Sequence, residues 1–292
     1  MNLGKPFRAV GALLRDAAAC WLKDYAQSMG AALAYYTIFS IAPLLLIVIA
    51  IAGFFFGEEA ARGEIYGQLH DMLGRNGALA VQGLLESVGR RSENVPVAAV
   101  GLLVLFIGAT SVFAEQQDAL ERIWRVPQRP RASGLWALLR ARLLSFGMIL
   151  GIGFLLTVSL AFSAALRAIS RWWDTDTPGW GAFSGASELA LNVLLVTAVF
   201  GLIYKTLPRA RIAWGDVAVG AAVTALLFLI GKTLIGVYIG RSGITSAFGA
   251  AASLIVVLLW VYYSAQIFLF GAEFTWVYAH RYGSRRGEPL PP

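Results

Sequence analysis

The run from Gly249 to Trp276, GAAASLIVVLLWVYYSAQIFLFGAEFTW, most limits what this chain can become. It exceeds the ~20 mostly apolar residues that a helix needs to cross a ~30 Å hydrocarbon core. Tyr262, Gln266 and Glu273 lie inside it. At ~100° per residue these three fall within roughly 40° of one another, with Ile255 and Leu269 on the same stripe. A carboxylate on a lipid-bound helix is costly and turns toward protein or a wet cavity. The plain alternative is that Glu273 sits near the end of its span and reaches water or a basic partner.

Further apolar runs precede this one, and only 14% of the residues are charged, against ~25% in soluble domains. The reading is all-α: a polytopic membrane helical bundle. Six transmembrane helices are expected near Ala34–Phe56, Val97–Ala114, Leu143–Leu166, Leu189–Thr206, Val217–Ile239 and Gly249–Trp276. Pro43 should bend the first. Gly147 with Gly151, and Gly236 with Gly240, form GxxxG pairs that allow close helix packing and a possible route to a homo-oligomer. Segments 1–30, 115–142 and 205–211, with the C-terminal tail, hold most of the 24 lysines and arginines. That excess places both termini in the cytoplasm.

The organisation that follows has three parts. Residues 1–30 are a cytoplasmic amphipathic segment, with Phe7, Val10, Leu14, Trp21 and Tyr25 at helical spacing between Arg8, Arg15 and Lys23. It either lies in the membrane interface or packs on the protein's own inner surface. No short apolar core with a cleavage site occurs there, so the first span is expected to act as an uncleaved insertion signal. Residues 31–283 form the six-span domain. Its periplasmic loop, 57–94, reads as two short amphipathic helices split at Gly74–Gly77. Residues 284–292, rich in proline, read as a disordered tail.

Composition also excludes chemistry. A single cysteine, Cys20, rules out an internal disulfide and a cysteine-rich metal cluster. His70 and His280 are the only histidines, and the expected topology puts a bilayer between them. No metal site, no other cofactor and no catalytic group is expected. The net charge of +7 reads as basic loops meeting anionic lipid head groups rather than nucleic acid.

Four stretches carry a resemblance: AALAYYTIFSIAPLLL (Ala31 to Leu46), QDALERIWRV (Gln117 to Val126), LIYKTLPRARIAWGDVAVGA (Leu202 to Ala221) and LLWVYYSAQIFLFGAEFTWVYAHRYG (Leu258 to Gly283). They are similar to the YihY or virulence factor BrkB membrane proteins, once labelled ribonuclease BN. The resemblance implies a six-span protein of the bacterial inner membrane and no settled activity. Where that family commonly has Asn in an ALNRIW-like segment, this chain has Glu121. A metal-dependent nuclease needs several His or carboxylate ligands together, and no such set is legible, so an enzyme is not expected.

Two functions remain. The first is transport of an amphipathic, anionic, lipid-like molecule through a cavity lined by Tyr35, Tyr36, Ser40, Thr110, Glu115, Tyr262, Gln266 and Glu273. Lys232 would meet an anionic group or pair with Glu188, and Glu273 or Glu115 would carry a coupling proton. On this reading the Tyr262–Glu273 stripe faces Tyr35 or Tyr36 and the Thr110–Glu115 end of the second span. The second function is a non-transporting scaffold that binds a partner protein or lipid head groups. Its intramembrane polar residues would only lock helices together.

Overall fold

The computed structural model describes residues 4–89, 111–127, 147, 151, 180–241 and 252–287. Every regular element among them is an α-helix: α1 (Gly4–Lys23), α2 (Ala26–Phe56), α3 (Glu58–Gly89), α4 (Trp180–Thr206), α5 (Trp214–Arg241) and α6 (Ala252–Arg281). A further helical stretch covers 111–123. Three helical segments are long and apolar enough to cross a membrane: Gly185–Thr206, Trp214–Ile239 and Leu254–Arg281. A fourth is the pair Ala26–Ala42 and Leu44–Phe54, bent by 41° at Pro43. Proline has no N–H to donate and its ring crowds the preceding turn, so the helix bends there. Most of the second and third expected spans lies outside the described residues.

The break between α1 and α2 falls at Asp24–Tyr25, where Tyr25 takes left-handed angles, φ 54°. The expected segment boundary at residue 30 therefore lies inside a helix. Gly57, φ 88°, ends α2, and Glu58 and Glu59 open α3, where carboxylates favour a helix N-terminus. Gly74, φ 70°, interrupts α3. Ile65 and Leu69 before it, and Val81 and Leu85 after it, all join one apolar cluster with Ile49 of α2 and Val257 and Val261 of α6. The two arms of α3 thus fold onto the same face of α2 and α6.

The last helix is the hub, packing against α1, α2, α3 and α5. The larger core gathers Leu13 and Ala17 of α1, Leu120 and Trp124, Tyr204 of α4, Val217 of α5, and Leu269 and Trp276 of α6. The 111–124 stretch therefore belongs to the interior. On α1 the buried stripe is Leu13 and Ala17, flanked by the partly buried Cys20 and Trp21, while Val10, Leu14 and Tyr25 are exposed. The helix packs on the protein's own surface, and of the expected stripe Trp21 joins that contact while Val10, Leu14 and Tyr25 do not.

The α5–α6 contact is built on small residues. A methyl group on Gly220 would overlap Thr275, one on Gly271 would overlap Thr224 and Tyr204, and one on Gly231 would overlap Ile267 and Tyr263. Close backbone approach of this kind gains dispersion where lipid offers no hydrophobic contrast. The expected GxxxG positions behave differently. Gly236 has nothing within 4 Å of a built methyl, and Gly151 meets only Leu202, at 3.4 Å.

Candidate functional site

Paired contacts show how α6 lies against the N-terminal helices. Arg281 pairs with Asp16, Glu273 is acted on by Asp24, and Gln266 Nε2 donates to the Gln27 carbonyl at 3.4 Å. Residue numbers rise on one strand of contacts as they fall on the other, so α1 and α2 run antiparallel to α6. Gly30 lies directly under the Gln266 amide. Gln266 and Glu273, seven residues apart at ~1.5 Å rise per residue, place their partners about 10 Å apart along the helix.

Glu273 is 0% exposed, and among the described residues neither of its oxygens accepts a hydrogen bond. The charged groups that act on it are Asp24 and Arg125. The two carboxyl groups are near enough to share a hydrogen bond when one carries a proton. Arg125 is committed to Asp24: Nη2 donates to both carboxylate oxygens, at 3.3 and 3.2 Å. Its guanidinium also lies over the Trp276 ring, 5.4 Å from the centroid, one turn beyond Glu273. Arg125 Nε is buried and makes no hydrogen bond within the chain. Two carboxylates thus face one guanidinium in a largely enclosed site, where charge–charge terms are stronger than in water.

Local backbone positions both partners. The 111–123 helix ends in a turn closed by Arg125 N donating to Arg122 O and Val126 N to Glu121 O, with Arg125 at φ 51°. Asp24 N donates to Cys20 O at the end of α1, one residue before Tyr25 at φ 54°. These are the two non-glycine residues with positive φ among those described, a conformation that costs roughly 1–2 kcal/mol per L-residue. They bracket the same ion pair. Beside them, the Cys20 thiol is pushed up from its ordinary value, first by burial and then by the charges of Glu273 and Asp24.

The other expected residues are distributed as follows. Ser40 is fully buried and its hydroxyl meets Ser111 Oγ at 2.8 Å, joining the first and second spans. Tyr35 and Tyr36 are 59% and 40% exposed, with rings in edge contact, Tyr35 also against Phe39. Glu273 and Gln266 instead meet the joint between α1 and α2. Tyr262 is half-buried beside the α2–α3–α6 cluster. Glu115 is half-buried, as is Lys232 on α5. Thr110 and the Glu188 side chain lie outside the described residues. Sequence reasoning missed Asp24 and Arg125, which lie in the segments 1–30 and 115–142 and were not singled out there.

Further polar contacts hold the region below the site. Asp216, in the first turn of α5, accepts from Ser284 N at 3.2 Å and from its hydroxyl at 2.6 Å. Arg285 lies over Trp124 and donates to the Arg211 carbonyl. The expected disordered tail therefore begins as a held segment, and residues 288–292 lie outside the described residues. Glu121 accepts from Gln117 Nε2 at 2.7 Å and pairs with Arg209 at 3.4 Å, so a charge at this position has a use. Among the described residues no group of three His, Cys, Asp or Glu could hold a metal ion. A cavity of about 380 Å³ lies between α2 and α3, and none of the nine expected site residues lines it.

Comparison with known proteins gives a consistent result. The family described as Virulence factor BrkB matches residues 18–291. A UPF0761 membrane protein of Pseudomonas paraeruginosa is 30% identical over 278 residues, covering 93% of this chain and 64% of the relative. A UPF0761 membrane protein of Alteromonas mediterranea is 26% identical, covering 89% of this chain and 85% of the relative. A Psychrobacter relative of the same description is 26% identical, with 88% of this chain and 46% of the relative covered. The chain thus spans less than two thirds of the length of the Pseudomonas and Psychrobacter relatives. No solved structure matches it.

Proposed function

This chain belongs to the virulence factor BrkB family, and from that premise we propose that it carries an amphipathic, anionic, lipid-like substrate across the bacterial inner membrane. Six spans with both termini in the cytoplasm complete the reading. One observation carries it: Glu273, inside an apolar helix, is buried without a hydrogen bond and faces Asp24 and Arg125. A charge placed in a span costs roughly 2.5–3.5 kcal/mol on insertion scales, and such groups generally mark a pathway. Here the single guanidinium is contested. An anionic head group that takes Arg125 from Asp24 leaves two carboxylates facing each other, and their repulsion loosens the joint between α1 and α6. The reading includes no hydrolytic step and no nucleic acid. Anionic lipid head groups meet the basic inner segments.

A second reading, a scaffold that does not transport, draws on the cavity between α2 and α3, which none of the expected site residues lines. Proteoliposomes of the purified protein separate the two. Transport requires that a labelled anionic phospholipid cross faster with the native protein than in protein-free vesicles. Equal rates would remove the transport reading and leave the scaffold.

A further inference from the structure

The cavity of about 380 Å³ is an open-mouthed pocket lined by Ile49 of α2 and by both arms of α3. Its floor is hydrocarbon: Ile49 of α2, Ile65 and Leu69 of the first arm, and Leu85 of the second. Ile49 lies in the Leu44–Phe54 half of the bent candidate span. The floor therefore includes a side chain of a helix pair long and apolar enough to enter the membrane.

The polar lining residues are Arg62, Tyr66, Gln82 and Glu86, and the charged and amide groups among them are held on their own helices. Arg62 donates to Glu58 at 2.8 and 3.0 Å, and Gln82 Nε2 donates to Glu86 at 3.2 Å. Water needs about two to four polar partners to be held, and the floor has only carbon to offer. The volume falls in the ~300–1,000 Å³ range of small-molecule sites. The chemistry that matches is a hydrocarbon chain inside, with a head group left beside side chains of both signs of charge.

We propose that this cavity takes one acyl chain of a membrane phospholipid, entering along α2 from the bilayer, with Arg62, Gln82 and Glu86 at its mouth. The site is independent of the Glu273 cluster, and it stands whether or not the protein transports.

Gly63 lines the cavity, and a methyl built on it meets nothing within 4 Å; Gly67, one turn on, is equally open but does not line it. Gly63→Trp therefore adds an indole at the cavity wall with no described neighbour at its first carbon, and both glycines are better replaced than kept in a helix. The test uses full-length protein in phosphatidylethanolamine–phosphatidylglycerol vesicles doped with a phosphatidylglycerol bearing a diazirine at the end of one acyl chain. Irradiation should attach the lipid to peptides spanning 62–69 or 78–86. Gly63→Trp should cut that yield by about tenfold, the factor that goes with losing one well-packed contact, with Gly63→Leu between. Gly67→Trp should leave it unchanged. No attachment to α3, or equal attachment in Gly63→Trp and Gly67→Trp, would overturn the proposal, the latter because it would mean general lipid contact only.

Discussion

Arg125 binds Asp24 through one terminal nitrogen reaching both carboxylate oxygens, at 3.3 and 3.2 Å, across 101 residues of chain. The carboxylate is nearly enclosed, its side chain 8% exposed. Glu273 adds a second acid to the same guanidinium. The ion pair thereby ties three parts of the chain, the end of α1, the turn after residue 123 and α6, at one point.

Arg125→Met should destabilise the protein by roughly 3–5 kcal/mol, the usual consequence of stranding a buried partner. Adding Glu273→Gln should recover part of that loss, because it removes one of the two unneutralised carboxylates. Thermal unfolding in detergent of the two single variants and the double variant measures the coupling. Strict additivity would show that Arg125 and Glu273 do not interact.

Glu273→Gln should insert and fold, since it keeps volume and hydrogen-bonding capacity while removing the charge. If Glu273 belongs to a transport pathway, that variant loses lipid translocation in proteoliposomes. Glu273→Leu should fold as well, because Arg125 keeps Asp24 as its partner and no hydrogen bond to Glu273 is lost. Native translocation by the Gln variant would end the functional role of Glu273.

Cys20 offers a pH readout of the same cluster. Burial, then the charges of Glu273 and Asp24, raise its thiol above the ordinary value. Less thiolate is then present at any given pH, so alkylation near neutrality should be slower than for a free cysteine and should keep rising with pH above the free-thiol range. Glu273→Gln removes one of the raising charges and should move the rate profile to lower pH. An unmoved profile would place Glu273 too far from the thiol. With an impermeant reagent, reaction in inverted vesicles but not in intact spheroplasts is the outcome expected for a cytoplasmic N-terminus.

Gly271→Val should be poorly tolerated, because its side chain would overlap Thr224 and Tyr204. Overpacking of this sort costs about 1–3 kcal/mol, read as a lower unfolding temperature in detergent. Gly236→Val should fold normally, since no described residue lies within 4 Å of the added group. If Gly236 instead serves contact between copies, the variant changes the oligomeric state while its unfolding temperature holds. No loss in Gly271→Val would contradict the α5–α6 packing.

Length and pattern alone determined a great deal here. Apolar runs with few charges dictate helices, because backbone N–H and C=O groups in hydrocarbon must be satisfied within the segment. Pro43 marks the bend and Gly74 the break in α3, because each residue restricts or frees backbone angles by its own covalent structure. Periodicity put Gln266 and Glu273 on one stripe, and both turn toward the chain's own N-terminal helices. It could not say which residues that stripe would meet. The first membrane-length helix was expected from residue 34 and begins at Ala26, and eight residues move its partners by about 12 Å along the axis. Asp24, at the joint before that helix, lies beside Glu273, while Tyr35 and Tyr36, further along it, are exposed. Arg125 was counted among loop charges, since nothing local distinguishes it from Arg122 or Arg129. Only the tertiary fold, through the turn that ends the 111–123 helix, carries its guanidinium to Asp24 and Trp276. Helical spacing specifies direction around an axis, while depth and partner depend on how separate helices slide against one another, and that is settled by packing across the whole bundle.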